Sequence, residues 1–426
     1  MSSGCRRGSS VLRSSLTPIR VTGNILTKRT AMSELNKKHK DIELSYSIIL
    51  LFLSESAFRV VSQLIQNNII STIYILSVLL IFIIIIMKLI KYDIRYFCVI
   101  ECVFLFLCAT SFVRGHSDVP TLLDTTVTAL FTCIPAVAAF IAIDDKQILL
   151  SRLRKVCPFW ALALSCAIVL LHNENSYSDG SAMVLSYSAM LPVLFLVQEL
   201  LNGFKVLTLC SLIATLVVLI AFGSRGPLLA VVFLLLVESV KKIRRGNARA
   251  AIVMLASIIS VLIILGNIDT ILIPVLDYLK YNNIYYSRNL YYIVNGISFD
   301  LSSRGDIWGE ALDLFSQSPL YGWGINSAEK LISVNPHNTV LELAVSCGVL
   351  GLIPYILVSV SGIILSLTSK DFNNPLRLLL EIFASYSLPF LLIRSYLFTT
   401  TGIYLFLAAS TMCMREKETQ KVETCR

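Results

Sequence analysis

Apolar runs of about 18 residues or more recur along the whole chain, divided by short polar segments rich in Lys and Arg. Ile69 to Ile90 and Phe204 to Phe222 are clear cases. The pattern predicts about twelve spans, near 44–64, 69–90, 95–113, 122–143, 157–172, 183–201, 204–222, 227–240, 249–266, 338–368, 376–393 and 396–414. The predicted fold is therefore all-α: a polytopic membrane protein with one large loop outside the membrane. The first span carries Glu55 and Arg59, which are spaced i, i+4 with Glu first and so can pair on one helix face. Only one connection is long, residues 267–337. Within it, Ser303 to Gln317 reads as an amphipathic helix with an apolar stripe of Ile307, Trp308, Ala311, Leu312 and Phe315. Such a helix is expected on the membrane surface, with Arg304 in its first turn.

Composition agrees with lipid as the solvent. The chain is 56% hydrophobic and 15% charged, against about 25% charged in soluble domains. A net charge of +9 raises nucleic acid as a partner. The cations instead sit in short loops between apolar runs, as topology signals do, and no nucleic acid is expected. The cysteines form neither a CxxC pair nor a Cys/His metal spacing, so neither metal nor cofactor is expected.

Charge also orients the chain. With the basic N-terminus inside, the inner loops hold Lys88, Lys91 and Arg95, then Lys146, Arg152, Arg154 and Lys155, then Lys241, Lys242, Arg244, Arg245 and Arg249. The C-terminal tail falls inside as well. The expected organisation is a cytoplasmic, disordered tail over 1–43, nine spans over 44–266, the extracytoplasmic loop 267–337, three spans over 338–414, and a cytoplasmic tail over 415–426. Residues 1–31 are read as dispensable, with Met32 as an alternative start. On this topology Arg225, Arg304, His337 and Arg394 share the extracytoplasmic face, where cations are scarce. An Arg at an apolar boundary is costly and calls for an anionic partner.

Three segments carry a resemblance: GSRGPLLA (223–230), SSRGDIWGEALDLFSQSPLYGWG (302–324), and His337-Asn338 followed by Gly348 and Gly351. In this order they resemble the O-antigen ligase and polymerase superfamily. The resemblance implies a membrane-embedded, metal-free glycosyltransferase of a bacterial inner or plasma membrane. It implies an undecaprenyl-pyrophosphate-linked glycan as donor and a glycan or glycolipid as acceptor, with a flippase and a chain-length regulator as further partners. By resemblance, Arg225 and Arg304 would bind the donor pyrophosphate and His337 would act as base.

Chemistry is compatible with those roles. Guanidinium groups bind phosphate oxygens bidentately and keep their charge in a low-dielectric site. An imidazole is a suitable base for a sugar hydroxyl near neutral pH. On a continuous helix, Gly348 lies about 20° and Gly351 about 40° from His337, a small-residue packing face beneath the histidine. Asn338 and Glu342, at i, i+4, are expected to pair and orient the site, and Arg394 to assist. A polymerase of O-antigen, capsule or exopolysaccharide is the first reading. A ligase onto lipid A core shares the same motifs, and a secondary transporter is the remaining alternative.

Overall fold

The computed structural model describes residues 21–64, 68–92, 94–170, 180–222, 225–244, 301–334, 336–368, 374–393 and 397–424, with scattered positions between 246 and 282. The described residues are helical throughout, with no strand among them. Six helices are long and apolar enough to cross a membrane, and Val206–Ile220 is a shorter apolar helix. The expected span at 249–266 falls almost wholly outside the described residues.

In chain order the helices are α1 (Val21–Leu64), α2 (Asn68–Tyr92), α3 (Arg95–Arg114), α4 (Val119–Thr128), a π-helical turn (Ala129–Cys133), α5 (Ile134–Ala142), α6 (Lys146–Leu170), α7 (Gly180–Asn202), α8 (Val206–Phe222) and α9 (Arg225–Arg244). After the long connection come α10 (Leu301–Gln317), α11 (Ser327–Ile332), α12 (Thr339–Thr368), α13 (Pro375–Ile393) and α14 (Thr401–Thr424).

Burial separates a centre from a periphery. Phe140, Leu149, Phe195, Phe383 and Phe406 are fully enclosed between α5, α6, α7, α13 and α14. In contrast, α2 and α3 expose Ile75, Leu80, Met87, Phe106 and Phe112. The most apolar span, Ile75–Tyr92, is 17% buried, and the least apolar, Leu185–Asn202, is 78% buried. Water would reverse that order, because apolar surface of this extent is not left exposed to it. Lipid permits it.

Helix α1 begins at Val21, well inside the segment expected as a disordered tail. The physical reason lies in Asp41, which is 2% exposed. Its carboxylate accepts the backbone N–H groups of Asp144 and Asp145 at 3.0 and 2.9 Å, and Lys40 bonds Asp144 at 2.7 Å. Those bonds fasten α1 to the α5–α6 turn, and a helix anchored there extends outward from it. Between α9 and α13, buried Lys241 pairs with Glu238 at 3.1 Å and Glu381 at 2.6 Å. A charge buried in this way is retained only with such partners.

Candidate functional site

At the opposite end of the bundle from Asp41, the long connection folds back onto the helices. The expected amphipathic helix is present as α10. Its apolar side does not wait for a membrane surface. Ile307, Ala311 and Leu314 pack with Ala328, Ile332, Leu341, Val345 and Trp323 in a small second core. Leu312, assigned to that stripe from sequence, is 54% exposed. Leu314 takes its place in the second core, because the packed face is set by α11 and α12.

The segment 318–330 is built into the molecule rather than looped over it. Helix α12 breaks at Gly348, whose φ of 61° and ψ of −161° are reachable only for glycine. The break frees backbone groups on both sides, and 318–324 satisfies them. Trp323 and Gly324 donate N–H bonds to the carbonyls of Val345 and Ser346 at 2.7 and 2.9 Å. In return, Val349 and Leu350 donate to the carbonyls of Pro319 and Leu320 at 2.7 and 3.3 Å. A Cβ on Gly348 would meet the Leu320 carbonyl at 2.5 Å, and one on Gly322 would meet Ser346 equally closely. Gly348 is thus a chain crossing, not part of a smooth helix face beneath His337, and the angular relation expected from a continuous helix fails.

Helices α3 and α4 grip the same segment from the other side. Arg114 donates to the carbonyls of Tyr321 and Gly322 at 2.8 and 2.9 Å. Ser117 bonds the Ile325 carbonyl, and Asn326 bonds Thr121 and Thr125. His116 stands edge-on to the Trp323 ring at 4.8 Å.

His337 follows this framework and precedes α12, with φ of 50° in the left-handed region. A non-glycine residue holds that conformation only where its neighbours fix it. On one side the Trp308 indole donates to the Pro336 carbonyl at 3.0 Å. On the other, Asn338 caps α12 by accepting from the N–H groups of Val340 and Leu341 at 2.9 and 3.2 Å. Thr339 then donates to the Phe390 carbonyl at 2.8 Å. Asn338 therefore fixes the backbone after His337 through a helix cap, its side-chain oxygen engaged by Val340 and Leu341, and Glu342 N–H makes the ordinary first-turn helix bond to Asn338 O at 2.9 Å. Gly351 lies on α12 after the break, against the Cys347 side chain.

The arginines are placed by their backbones. Arg225 opens α9, and the following Gly226 is pressed against the Tyr187 ring, where no Cβ would fit. Tyr187 in turn packs on Phe390 at 5.4 Å, the residue that Thr339 holds. Arg304 sits in the first turn of α10, one turn before Trp308. Arg394 lies outside the described residues, directly after α13 ends at Ile393. The side chains of Arg59, Arg225 and Arg304 are likewise outside them, so the Glu55–Arg59 pair has no described geometry. Arg225, Arg304 and His337 share one end of the bundle.

A cavity of about 510 Å³ lies beside this end; His337 does not line it, but its neighbour Pro336 and Glu342 do. Pro336 and Glu329 stand at its His337 end, with Thr121 and Asn326 beside them. Helix α4 and the π-helical turn give it Thr125, Thr128 and Thr132; α6 and α7 give Trp160 and Tyr187; α13 gives Tyr386 and Phe390. Sequence reasoning missed this wall. Its signal is nonetheless present: Thr121, Thr125, Thr128 and Thr132, spaced 4, 3 and 4, form one polar stripe in an otherwise apolar span.

These features describe a multi-pass membrane protein, helical and without strands among its described residues, with a cavity lined by Pro336 beside the histidine. Residues 210–356 match the protein family described as O-antigen ligase, which supports the O-antigen ligase and polymerase superfamily for this chain. That segment includes Arg225, Arg304 and His337. No curated protein and no solved structure matches the chain.

Proposed function

We propose that this protein is a membrane glycosyltransferase that polymerises undecaprenyl-pyrophosphate-linked oligosaccharide units into a cell-envelope polysaccharide. The reaction joins a sugar hydroxyl of the acceptor to the anomeric carbon of the donor. His337 removes the hydroxyl proton as the oxygen attacks. The bond from the anomeric carbon to the pyrophosphate oxygen breaks, and its electron pair leaves with undecaprenyl pyrophosphate. Attack opposite the leaving group inverts the anomeric centre.

Arg225 and Arg304 bind the leaving pyrophosphate, where charge grows as the bond breaks. Two guanidinium groups supply the charge that a divalent metal would otherwise bring. Arg394, directly after α13 in the sequence, is assigned a supporting role. The observation that supports the reading is the left-handed turn at His337, held by Trp308, Asn338 and Thr339 beside Pro336, which lines the cavity. Asn326 and Ser333 share that left-handed conformation, so the turn marks a backbone fixed by its surroundings, and the base role is assigned to His337 by its position in the motif.

Purified full-length protein, given lipid-linked donor with chelator present, should form polymer, and His337→Ala should abolish it while still inserting normally. Normal polymer from well-expressed His337→Ala would remove the base assignment. Activity lost to chelator and restored by a divalent cation would remove the metal-free mechanism.

A further inference from the structure

A second cavity, also of about 510 Å³, lies at the other end of the bundle, beside the Asp41 anchor. It occupies the crook between α1, the last residue of α2 and Asp144 of the α5–α6 turn. Ser33, Asn36, Lys37 and Lys40 enter it from α1. Their spacing of 3, 1 and 3 residues puts all four on one helix face, and each can donate hydrogen bonds. The same face continues into the bundle as Leu44, Ser47 and Leu51, which are buried. On the N-terminal side of Asp41 it opens, and Ser33, Asn36 and Lys37 are exposed.

Tyr92 forms the facing wall. The Lys40 ammonium lies 6.0 Å from the centre of its ring, and the Lys91 ammonium 5.2 Å. Two cations from different helices thus converge on one ring. Asp144 also lines the cavity, but its carboxylate is held by Lys40 at 2.7 Å. The Asp41 carboxylate is likewise committed, to the backbone N–H groups of Asp144 and Asp145.

The cavity's level in the membrane follows from α2. Ile75–Tyr92 is the most apolar and least buried of the six spans, so it faces lipid, and Lys91 and Tyr92 close it. A Tyr and a Lys at the end of such a span sit among lipid headgroups. An acyl chain alone does not suit a face of four donors. A zwitterionic headgroup would bring its own cation against the lysines. A phosphodiester without a cation suits the lining: its oxygens accept from Lys37, Ser33 and Asn36, and its glycerol carbons lie on Met32 and the Tyr92 ring. Basic pockets between membrane helices take headgroups of this kind.

We infer that the crook between α1, the end of α2 and the α5–α6 turn binds the headgroup of an anionic phospholipid. The bound headgroup ties α1 to α2 at the level where Asp41 ties it to the α5–α6 turn. This site is independent of the glycosyltransferase reading, since it involves none of the residues at the histidine end.

The test places full-length protein in phosphatidylcholine nanodiscs doped with a phosphatidylglycerol whose headgroup is photoreactive, and maps the labelled residues. Label should concentrate within residues 32–40 and around Tyr92. Lys37→Gln and Lys91→Gln, both at exposed side chains, should each lower that labelling roughly fivefold, and together roughly thirtyfold. Lys37→Arg should retain it. Lys155→Gln, at an exposed lysine of α6 outside the cavity, should leave it unchanged. No label at these positions, or equal labelling by a photoreactive phosphatidylcholine, would overturn the inference. An equal loss in Lys155→Gln would do the same, because general surface potential would then account for the binding. Labelling abolished by excess inorganic phosphate would make this a site for a soluble anion and remove the lipid assignment.

Discussion

Among individual residues, the arginines make the sharpest demand on chemistry. If Arg225 and Arg304 grip one pyrophosphate, positive charge alone does not suffice, because Lys lacks the planar fork of donors. Charged hydrogen bonds of this kind contribute on the order of 1.5–3 kcal/mol each. Arg→Lys at either position should therefore lower turnover roughly tenfold to a hundredfold, and Arg→Ala more. Both residues would share one ligand, so the double Ala variant should lose less than the sum of the singles. Transfer from purified donor measures all four variants, and full activity in both Lys variants would return these arginines to a role in topology. Arg114 sets a useful contrast. It too is an outer-loop cation in the sequence, yet its guanidinium is engaged by the Tyr321 and Gly322 carbonyls and stands over the Tyr321 ring. Sequence alone does not separate a cation that holds backbone from one that holds substrate.

Helices and their connections explain why three distant motifs belong to one site. The 302–324 segment supplies Trp308, which fixes the carbonyl before His337, and Gly322, which lies across the break at Gly348. Gly348→Ala would add a Cβ at a backbone conformation reserved for glycine and against the Leu320 carbonyl. Strain there is about 1–3 kcal/mol before the clash is counted. The expected outcome is lower thermal stability in detergent and protease cleavage within 318–326, with membrane insertion retained. Trp308→Phe is milder: the ring stays, one hydrogen bond of about 1 kcal/mol goes, and turnover should fall without loss of stability beyond that amount. Unchanged turnover would disconnect α10 from the histidine. The all-helical character is legible in the apolar runs and α10 in its 3.6-residue stripe, but of about twelve expected spans six helices among the described residues are long and apolar enough to cross a membrane. The break in α12 was not legible, because a glycine inside an apolar run reads equally as packing face or chain crossing until its partner strand of backbone is known. For the same reason Leu312 was assigned to a face that α11 and α12 do not cover. The cavity escaped notice because its residues are contributed by helices far apart in sequence.

For the whole molecule, charge and burial together define two different ends. Lys40, Lys88, Lys146, Arg152, Arg154, Lys241 and Arg377 gather at the end where Asp41 anchors α1. Arg114, Arg225, Arg304 and His337 mark the other. Arg114 is engaged by backbone carbonyls at the second end, whereas the first has the excess of Lys and Arg that the positive-inside rule expects to face the cytoplasm. Reporter fusions after Arg245 should therefore read cytoplasmic, and fusions near Gly324 extracytoplasmic. The second site is the more demanding, because Gly324 is bonded to Ser346 and packed beside Ser111 and Ser117. A reporter there should be joined after truncation at that point rather than inserted. If both sites report as stated, His337 and the cavity beside it face the compartment in which lipid-linked glycans are assembled into polymer. If both report the reverse, His337 and that cavity face the cytoplasm. The polymerase reading would then fall.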